Sequence, residues 1–405
     1  MKTLSMKYVR MLAAVTAVML AAVVLAACGN DSKDSGTGSK TTAAQPAANK
    51  GTIKIGNIAA ITGPIPLGEM SKAVQAYFDD LNAKGGVNGY KVEVVVKDDK
   101  TDPALTARAA RELVEQEKVI GLVGDMTLVG CAVNQKYLEA NEIRSIMGGG
   151  AIPPCFLQPN VSPVNTGPTG DFRVALTYAR DTLGKKKVCA IFTTLQIPYA
   201  PDVIKWYEEK YGEALTMADQ SLTQKSNLDA LFATAKSKGC EAIATDGTAN
   251  QTGPMAVARD KQGLTTVPLV FMGSQYNPDL AKALGDVKEI YATSELLPFT
   301  EPDPKLAPML ASFKKHGVPV SGLSQFGWHA ATMFTKIVSG IQGEVTKESY
   351  NKALLAATSV DTDGWTATPY AFGPDKAHNS NKGAKMVKIE NGKWVVATPD
   401  WIVWG

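Results

Sequence analysis

The chain has 405 residues, of which 45% are hydrophobic and 20% charged, with 42 basic, 39 acidic and only three histidine side chains. A balance this close to neutral gives no electrostatic footprint for nucleic acid or for an anionic membrane face, which excludes partners selected by bulk charge. The length is too great for one core and suits two domains.

The first 28 residues differ from the rest. Lys2, Lys7 and Arg10 precede an uncharged apolar run from Met11 to Ala27, the layout of a secretory signal peptide. The run is long enough to raise a transmembrane helix as the alternative. Its ending, Leu25-Ala26-Ala27-Cys28 followed by Gly29, resembles the bacterial lipobox, in which the cysteine is acylated and the chain is cut before it. Residues 1–27 therefore read as a signal peptide and Cys28 as a lipidation site, with acyl chains holding the protein at a membrane outside the cytoplasm. Cleavage removes three basic residues and leaves 39 of each sign. Asp31 to Lys50 holds no large apolar residue, so 28–50 is expected to be a disordered tether.

Four cysteines remain: Cys131, Cys155, Cys189 and Cys240. An even number in an extracytoplasmic chain reads as two disulfides with three possible connectivities, against four buried thiols. There is no C-x-x-C, so no metal site and no cofactor is expected.

From Thr52 short apolar strands alternate with amphipathic helices. Thr52–Ala59 is a predicted strand. Met70, Ala73, Val74, Tyr77, Phe78 and Leu81 then form one face of a helix over Gly68–Lys84, ended by Gly85-Gly86. Val92–Val96 is the next strand, and Asp102-Pro103 caps a helix with Leu105, Ala109 and Leu113 inward. Strands at Val119–Val123 and Ile143–Met147 bracket a third helix. The pattern restarts with a strand at Val188–Phe192, a helix at Pro201–Tyr211 and a weaker strand at Ala214–Ala218. Ser226 and Asp229 resemble a capping box for a helix to Lys236. Strands follow at Glu241–Thr245, Val267–Phe271 and Glu289–Ala292, then helices at Gln325–Ile341 and Lys347–Ala357. Ala384–Ile389 and Trp394–Ala397 flank Asn391-Gly392, a hairpin signal. This is an α/β chain with two parallel sheets, each covered on both faces.

Open parallel sheets place ligand loops at the carboxyl ends of their strands. Those loops are 61–64, Asp125–Val129 and 148–151 in the first half, and Thr193–Tyr199, Asp246–Asn250 and 273–276 in the second. Each leads into a helix whose first N–H groups favour an anion or a polar oxygen.

Several stretches now carry a resemblance: IKIGNIAAITGP, DDLNAKGGVNGYKVEVVVKDDKTDP, VSPVNTGP, LVFMGSQ and SVDTDGW. The most specific is Asn-Ala-Lys-Gly-Gly-Val-Asn-Gly followed by Asp98-Asp99 and Asp102-Pro103. From Thr52 onward the chain resembles the branched-chain amino-acid-binding (leucine-binding) type of periplasmic binding protein, the type I solute-binding component of an ABC importer. The resemblance implies two Rossmann-like lobes joined by three crossovers near Thr166, Leu297 and Trp365. Residues 51–166 plus 298–365 form lobe one, and 167–297 plus 366–405 form lobe two. It further implies that a small-molecule solute binds in the interlobe cleft, that the lobes close on it, and that membrane permease subunits recognise the closed form, with no reaction expected on the solute.

Residues expected at the solute are Thr62, Thr127, Leu128, Gly149, Gly150, Ala151, Tyr199, Thr248, Gln275 and Tyr276. Gly148-Gly149-Gly150 reads equally as a turn needing positive φ. Tyr199 falls where the family carries Tyr-Gly, with Ala200 here in the glycine's place. Phe326 and Trp328 read as core, His329 as structural, and Asp125 as a cleft residue or a helix cap. Amino-acid binders carry an acidic residue, where this chain has Gln275, to hold the ligand's ammonium group. Thr127-Leu128-Val129 replaces a serine-rich turn for the α-carboxylate. A neutral solute, or an acid without an amine, is therefore expected in preference to a free α-amino acid.

Strand order pairs Cys131 with Cys155, each just past one of two neighbouring strands. In lobe two, an order of 2-1-3 sets Cys189 beside Cys240. The alternatives are a ligand-sensing receptor domain of the same fold and a secreted hydrolase; the absence of G-x-S-x-G and H-E-x-x-H speaks against the latter.

Overall fold

The computed structural model describes residues 50–194 and 198–404, and the chain from Pro46 onward forms one compact unit. The signal peptide, Cys28 and most of the tether lie outside the described residues.

The first half is built from β1 (Gly51–Ala59), α1 (Glu69–Ala83), β2 (Tyr90–Asp98), α2 (Pro103–Arg111), β3 (Leu122–Val123), α3 (Gly130–Ala140), β4 (Ser145–Met147) and β5 (Val161–Pro163). Its five strands run parallel in the order β2-β1-β3-β4-β5. Gly86 ends α1 because its φ is +75° and an added Cβ would stand 1.9 Å from the Tyr90 carbonyl oxygen. Asp102 caps α2 as expected, accepting from the backbone N–H of Ala104 and Leu105 at 2.8 Å each. Ala109 and Leu113 face inward from this segment and pack with Ile58, Leu122 and Leu138 on one face of the sheet.

The second half comprises α4 (Gly167–Thr177), β6 (Val188–Thr193), α5 (Ala200–Tyr211), β7 (Met217–Leu222), α6 (Leu228–Lys238), β8 (Ala242–Thr245), α7 (Ala249–Lys261), β9 (Leu269–Phe271), α8 (Pro278–Leu284) and β10 (Ile290–Ser294). The chain then returns to the first sheet. After α9 (Ala307–His316), α10 (Gly322–Ser339) lies along α1 with Trp328 and Phe334 against Tyr77 and Phe78, and α11 (Lys347–Ala356) follows. β11 (Gly383–Glu390), β12 (Lys393–Val396) and β13 (Ile402–Val403) complete the second sheet, ordered β12-β11-β10-β9-β8-β6-β7 with β13 on β11. β6 to β10 are parallel and β11 is antiparallel to β10. Asn391 and Gly392 both have positive φ, 51° and 71°, the two-residue turn that this dipeptide favours.

Three elements depart from expectation. β7 lies about three residues later than 214–218, because it is the sheet's edge strand and Asp219, Gln220 and Ser221 dilute its apolar signal. Asn227, not Ser226, caps α6, accepting from Ala230 N at 3.1 Å, while Ser226 Oγ accepts from Thr223 N. The third return does not finish at Trp365. Tyr370 Oη donates to the Ser162 carbonyl, Ser162 Oγ to the Ala371 carbonyl, and His378 N to the Phe156 carbonyl. Residues 370–378 therefore cover the open edge of β5, and the chain joins the second sheet only at Gly383.

Both expected disulfides are present: Cys131–Cys155 with Cα atoms 5.1 Å apart and Cys189–Cys240 at 5.8 Å. Their spans of 24 and 51 residues correspond to about 3 and about 4 kcal/mol on the chain-entropy estimate. Replacing each pair by serine is expected to lower Tm, more for Cys189/Cys240 than for Cys131/Cys155, as measured by calorimetry under non-reducing conditions.

Asp125 stands at the end of β3 and ties strands together instead of capping a helix. Its carboxylate accepts from Ile58 N at 2.8 Å and Ser145 Oγ at 2.6 Å. Burial is the main cause that pushes its carboxyl up to about 7. A folded-state value above the unfolded one means stability is complete below about pH 4 and lost as pH rises through about 7. The shift corresponds to roughly 4 kcal/mol. An Asp125→Asn variant, whose amide satisfies the same partners, is expected to gain stability relative to wild type between about pH 5 and about pH 8. Parallel Tm profiles for the two proteins would contradict this.

Candidate functional site

Acidic side chains shape the loops at the carboxyl ends of the first sheet's strands. Asp98 accepts from Ile61 N, Thr62 N, Thr62 Oγ1 and Lys100 N at 2.6–3.2 Å. Asp99 accepts from Thr101 N and from the Thr127 hydroxyl, which in turn accepts from Gly130 N. The two adjacent aspartates thus build the turns that carry Thr62 and Thr127. Thr62 is exposed, but its hydroxyl is committed to Asp98; Thr127 is buried and committed to Asp99. Ile61, Leu128, Val129 and Ala151 are partly exposed apolar side chains among these loops.

The glycine triplet has a different cause from a positive-φ turn, since none of the three has positive φ. A Cβ on Gly148 would meet Met70 Sδ at 2.4 Å, on Gly149 Met126 Sδ at 2.6 Å, and on Gly150 the Phe156 ring at 2.6 Å. Their N–H groups are used as well: Gly148 and Gly149 donate to the Asp125 carbonyl and Gly150 to Asn165 Oδ1. Packing against two methionines and a phenylalanine requires glycine here. Ala151 follows directly and is where this loop becomes accessible.

In the second half, Tyr199 precedes α5 with its ring buried and its hydroxyl without a protein partner among the described residues. Burial pushes that phenol well above its ordinary value. Thr248 caps α7 and accepts from Gln224 Nε2 at 2.8 Å. Gln275 is 2% exposed, its Oε1 accepting from Thr252 Oγ1 at 3.2 Å and its Nε2 donating to Ser274 Oγ at 3.0 Å. Asp246 is bound to Thr193 through N at 2.8 Å and Oγ1 at 2.6 Å, with its carboxyl pushed up by burial to about 6.

Tyr276 departs from its expected place in the cleft. It is fully buried, stacked on Phe299 at 3.9 Å, edge-on to Trp394, and bonded through its hydroxyl to Thr300. It is a core residue that fixes the turn presenting Gln275. Phe326 and Trp328 are core as expected, and buried His329 stacks on Trp365, burial driving its imidazole down to about 3.

Two residues escaped sequence reasoning. Glu69 opens α1, is partly buried, and lies near Ser321 at the start of α10, with burial holding its carboxyl above the usual range. Gly322 N donates to the Tyr276 carbonyl at 2.9 Å, so the start of α10 docks on the Gln275 turn. An acid in the first turn of a helix reads as a dipole complement, which conceals any second role.

The chain thus forms two largely parallel α/β sheets joined by three crossings that are hydrogen-bonded to one another. The chain from 52 to 393 matches the periplasmic binding protein family. An amino acid binding protein of Pseudomonas aeruginosa is 26% identical over 267 residues, 62% of this chain and 68% of that protein. The branched-chain amino acid substrate-binding protein LivJ from Streptococcus pneumoniae, solved with isoleucine, superposes with a TM-score of 0.71 at 21% identity, covering 87% of this chain and 99% of that one. A fatty acid ABC transporter substrate-binding protein from Thermomonospora curvata gives 0.71 at 19% identity, covering 88% and 94%. A match spanning most of the chain, on a fold with the same two-sheet architecture, makes this protein a member of the periplasmic binding protein family.

Proposed function

We propose that this protein is an extracytoplasmic, lipid-anchored solute receptor that captures a small molecule between its lobes and delivers it to the permease subunits of an ABC transporter. The observation that supports the reading is the family match over residues 52–393 on two largely parallel sheets joined by three hydrogen-bonded chain crossings. A solute touching both sets is bound fully only when they approach, so it shifts the population toward the closed arrangement. Lobe one comprises 51–166 plus 298–378, and lobe two 167–297 plus 383–405; the third boundary moves past 365 because residues 370–378 pack on β5.

The solute contacts are Leu128 and Ala151 from lobe one and Tyr199, Thr248 and Gln275 from lobe two, with Thr62 at the rim. Gln275 is a neutral amide held by Thr252 and Ser274, and Asp246 is committed to Thr193. Thr127 has no hydroxyl to spare for a carboxylate. A desolvated ammonium is poorly compensated at such a site, which favours a neutral or weakly polar solute, or an acid without an amine. Titration calorimetry against leucine, isoleucine and valine is expected to show no binding at micromolar concentration, and a Gln275→Glu variant is expected to gain affinity for them. Tight binding of any of the three by wild type would overturn this solute class, and its loss in Glu69→Gln would identify Glu69 as the ammonium partner.

The anchor has a separate test. Cys28→Ala is expected to leave the protein unlipidated and released from the membrane fraction; retention with an uncut N-terminus would contradict the lipoprotein reading.

A further inference from the structure

Where the chain first crosses between the halves, two acidic side chains meet in the interior. Glu295, just past β10, is 5% exposed, and Asp171, on the second turn of α4, is 3% exposed. Glu295 Oε2 accepts from Thr166 N at 2.6 Å, Thr166 Oγ1 at 2.7 Å and Gly167 N at 3.2 Å. Asp171 Oδ2 accepts from Gly273 N at 3.1 Å, the first residue of the turn that presents Gln275. Asp171 Oδ1 is buried and, like the Thr293 hydroxyl beside it, has no hydrogen-bond partner among the described residues. The Glu295 carboxyl reaches the same residue, its Oε1 3.2 Å from where a Cβ on Gly273 would stand, and the two acids interact there.

Two adjacent buried carboxylates without a cation repel strongly, and one proton between them removes the repulsion while supplying the missing donor. The charged groups on the surrounding elements are engaged elsewhere. Lys385 on β11 pairs with Glu301 at 2.8 Å. Arg173 on α4 lies over Trp206 and Trp404, and Lys382 over Trp404. On β10 the nearby Thr293 hydroxyl is uncharged, and the crossings contribute only Thr166, Gly167, Asn379 and Asn381.

We propose that Asp171 and Glu295 form a carboxylic acid–carboxylate pair sharing one proton, and that this pair positions the Gly273–Gln275 turn relative to the first two crossings. The acid is Asp171, whose O–H donates to Glu295; Glu295 remains the anion that its three donors stabilise. Burial, and then the Glu295 charge, hold the Asp171 proton far above the usual carboxylate range. With the folded value raised, the stabilisation is complete below about pH 4 and is lost progressively as pH rises toward and through the folded value. At alkaline pH the Asp171 O–H bond breaks, the proton passes to solvent, and two anions push the crossing and the solute turn apart. The consequence for solute capture rests on the function proposed above; the proton itself does not.

The test uses the full chain without solute, so its failure is separable from failure of the transport reading. Asp171→Asn keeps a donor toward Glu295 and an acceptor for Gly273 N but cannot ionise. Between about pH 8 and about pH 10, wild type is expected to lose roughly 2–4 °C of Tm more than this variant. Asp125 titrates below that range in both proteins and cancels in the difference. Over the same interval the radius of gyration measured by X-ray scattering should grow in wild type and stay constant in Asp171→Asn. At about pH 8.5, infrared spectroscopy should show a protonated-carboxyl C=O band in wild type that the variant lacks. Equal pH slopes in the two proteins would overturn the proposal. Should Asp171→Asn not fold, the band in wild type alone decides: its absence refutes the shared proton.

Discussion

The Glu295 side chain accepts three hydrogen bonds from Thr166 and Gly167, and its backbone carbonyl accepts a fourth from Asn381 Nδ2 at 2.7 Å. Two residues on, Leu297 N donates to the Trp365 carbonyl while Gln325 Nε2 donates to the Leu297 carbonyl. Asn379 Nδ2 closes the set on the Thr166 carbonyl. All three passages between the sheets are bonded to one another within this short stretch. In the function proposed above, this short stretch is where the two halves would turn on one another. A buried anion at this place is acceptable only because its lone pairs are filled by oriented donors.

The acidic run of the first lobe does comparable work on a smaller scale. Asp98, Asp99 and Asp102 each accept backbone N–H groups from a different turn. These carboxylates lie close to the cleft, yet their lone pairs are spent on chain geometry. The family signature in Asp98-Asp99 and Asp102-Pro103 is thus a structural one, recording how the loops after β1, β2 and β3 are held. That explains why the stretch identifies the fold so well and says so little about the solute.

Much of the architecture was legible because its signals are local. The α1 stripe, the Asp102-Pro103 cap and the Asn391-Gly392 turn each depend on residues within a few positions, and both disulfides followed from strand order. What escaped depended on tertiary contact. β5 ends in Pro163 and is only three residues long, acceptable because it is an edge strand that the 370–378 return covers. The start of α4 is Gly-Pro-Thr-Gly, composition that signals a turn until Glu295 and Phe156 are in place around it. α7 carries Gly253 and Pro254, a breaking composition, yet it begins from a reciprocal Thr248–Gln251 cap and holds in its last turn Arg259, whose buried guanidinium ties the carbonyls of Val267, Lys288 and Glu289.

The same distinction governs the site. Sequence reasoning places loops correctly at strand ends, since parallel topology dictates it, but it cannot tell an available hydroxyl from one already bonded. Thr127 and Thr62 have the chemistry to hold a carboxylate and have spent it on Asp99 and Asp98. Gly149 and Gly150 have the backbone to approach a ligand and have spent it on Met126, Phe156 and Asn165. With those groups withdrawn, the first half offers mainly Leu128, Val129 and Ala151, while in the second Tyr199 has a hydroxyl without a partner among the described residues and Gln275 is a buried neutral amide bonded to Thr252 and Ser274. In the cleft proposed above, such walls would orient a solute by its shape and by one or two hydrogen bonds, without requiring charge at both ends.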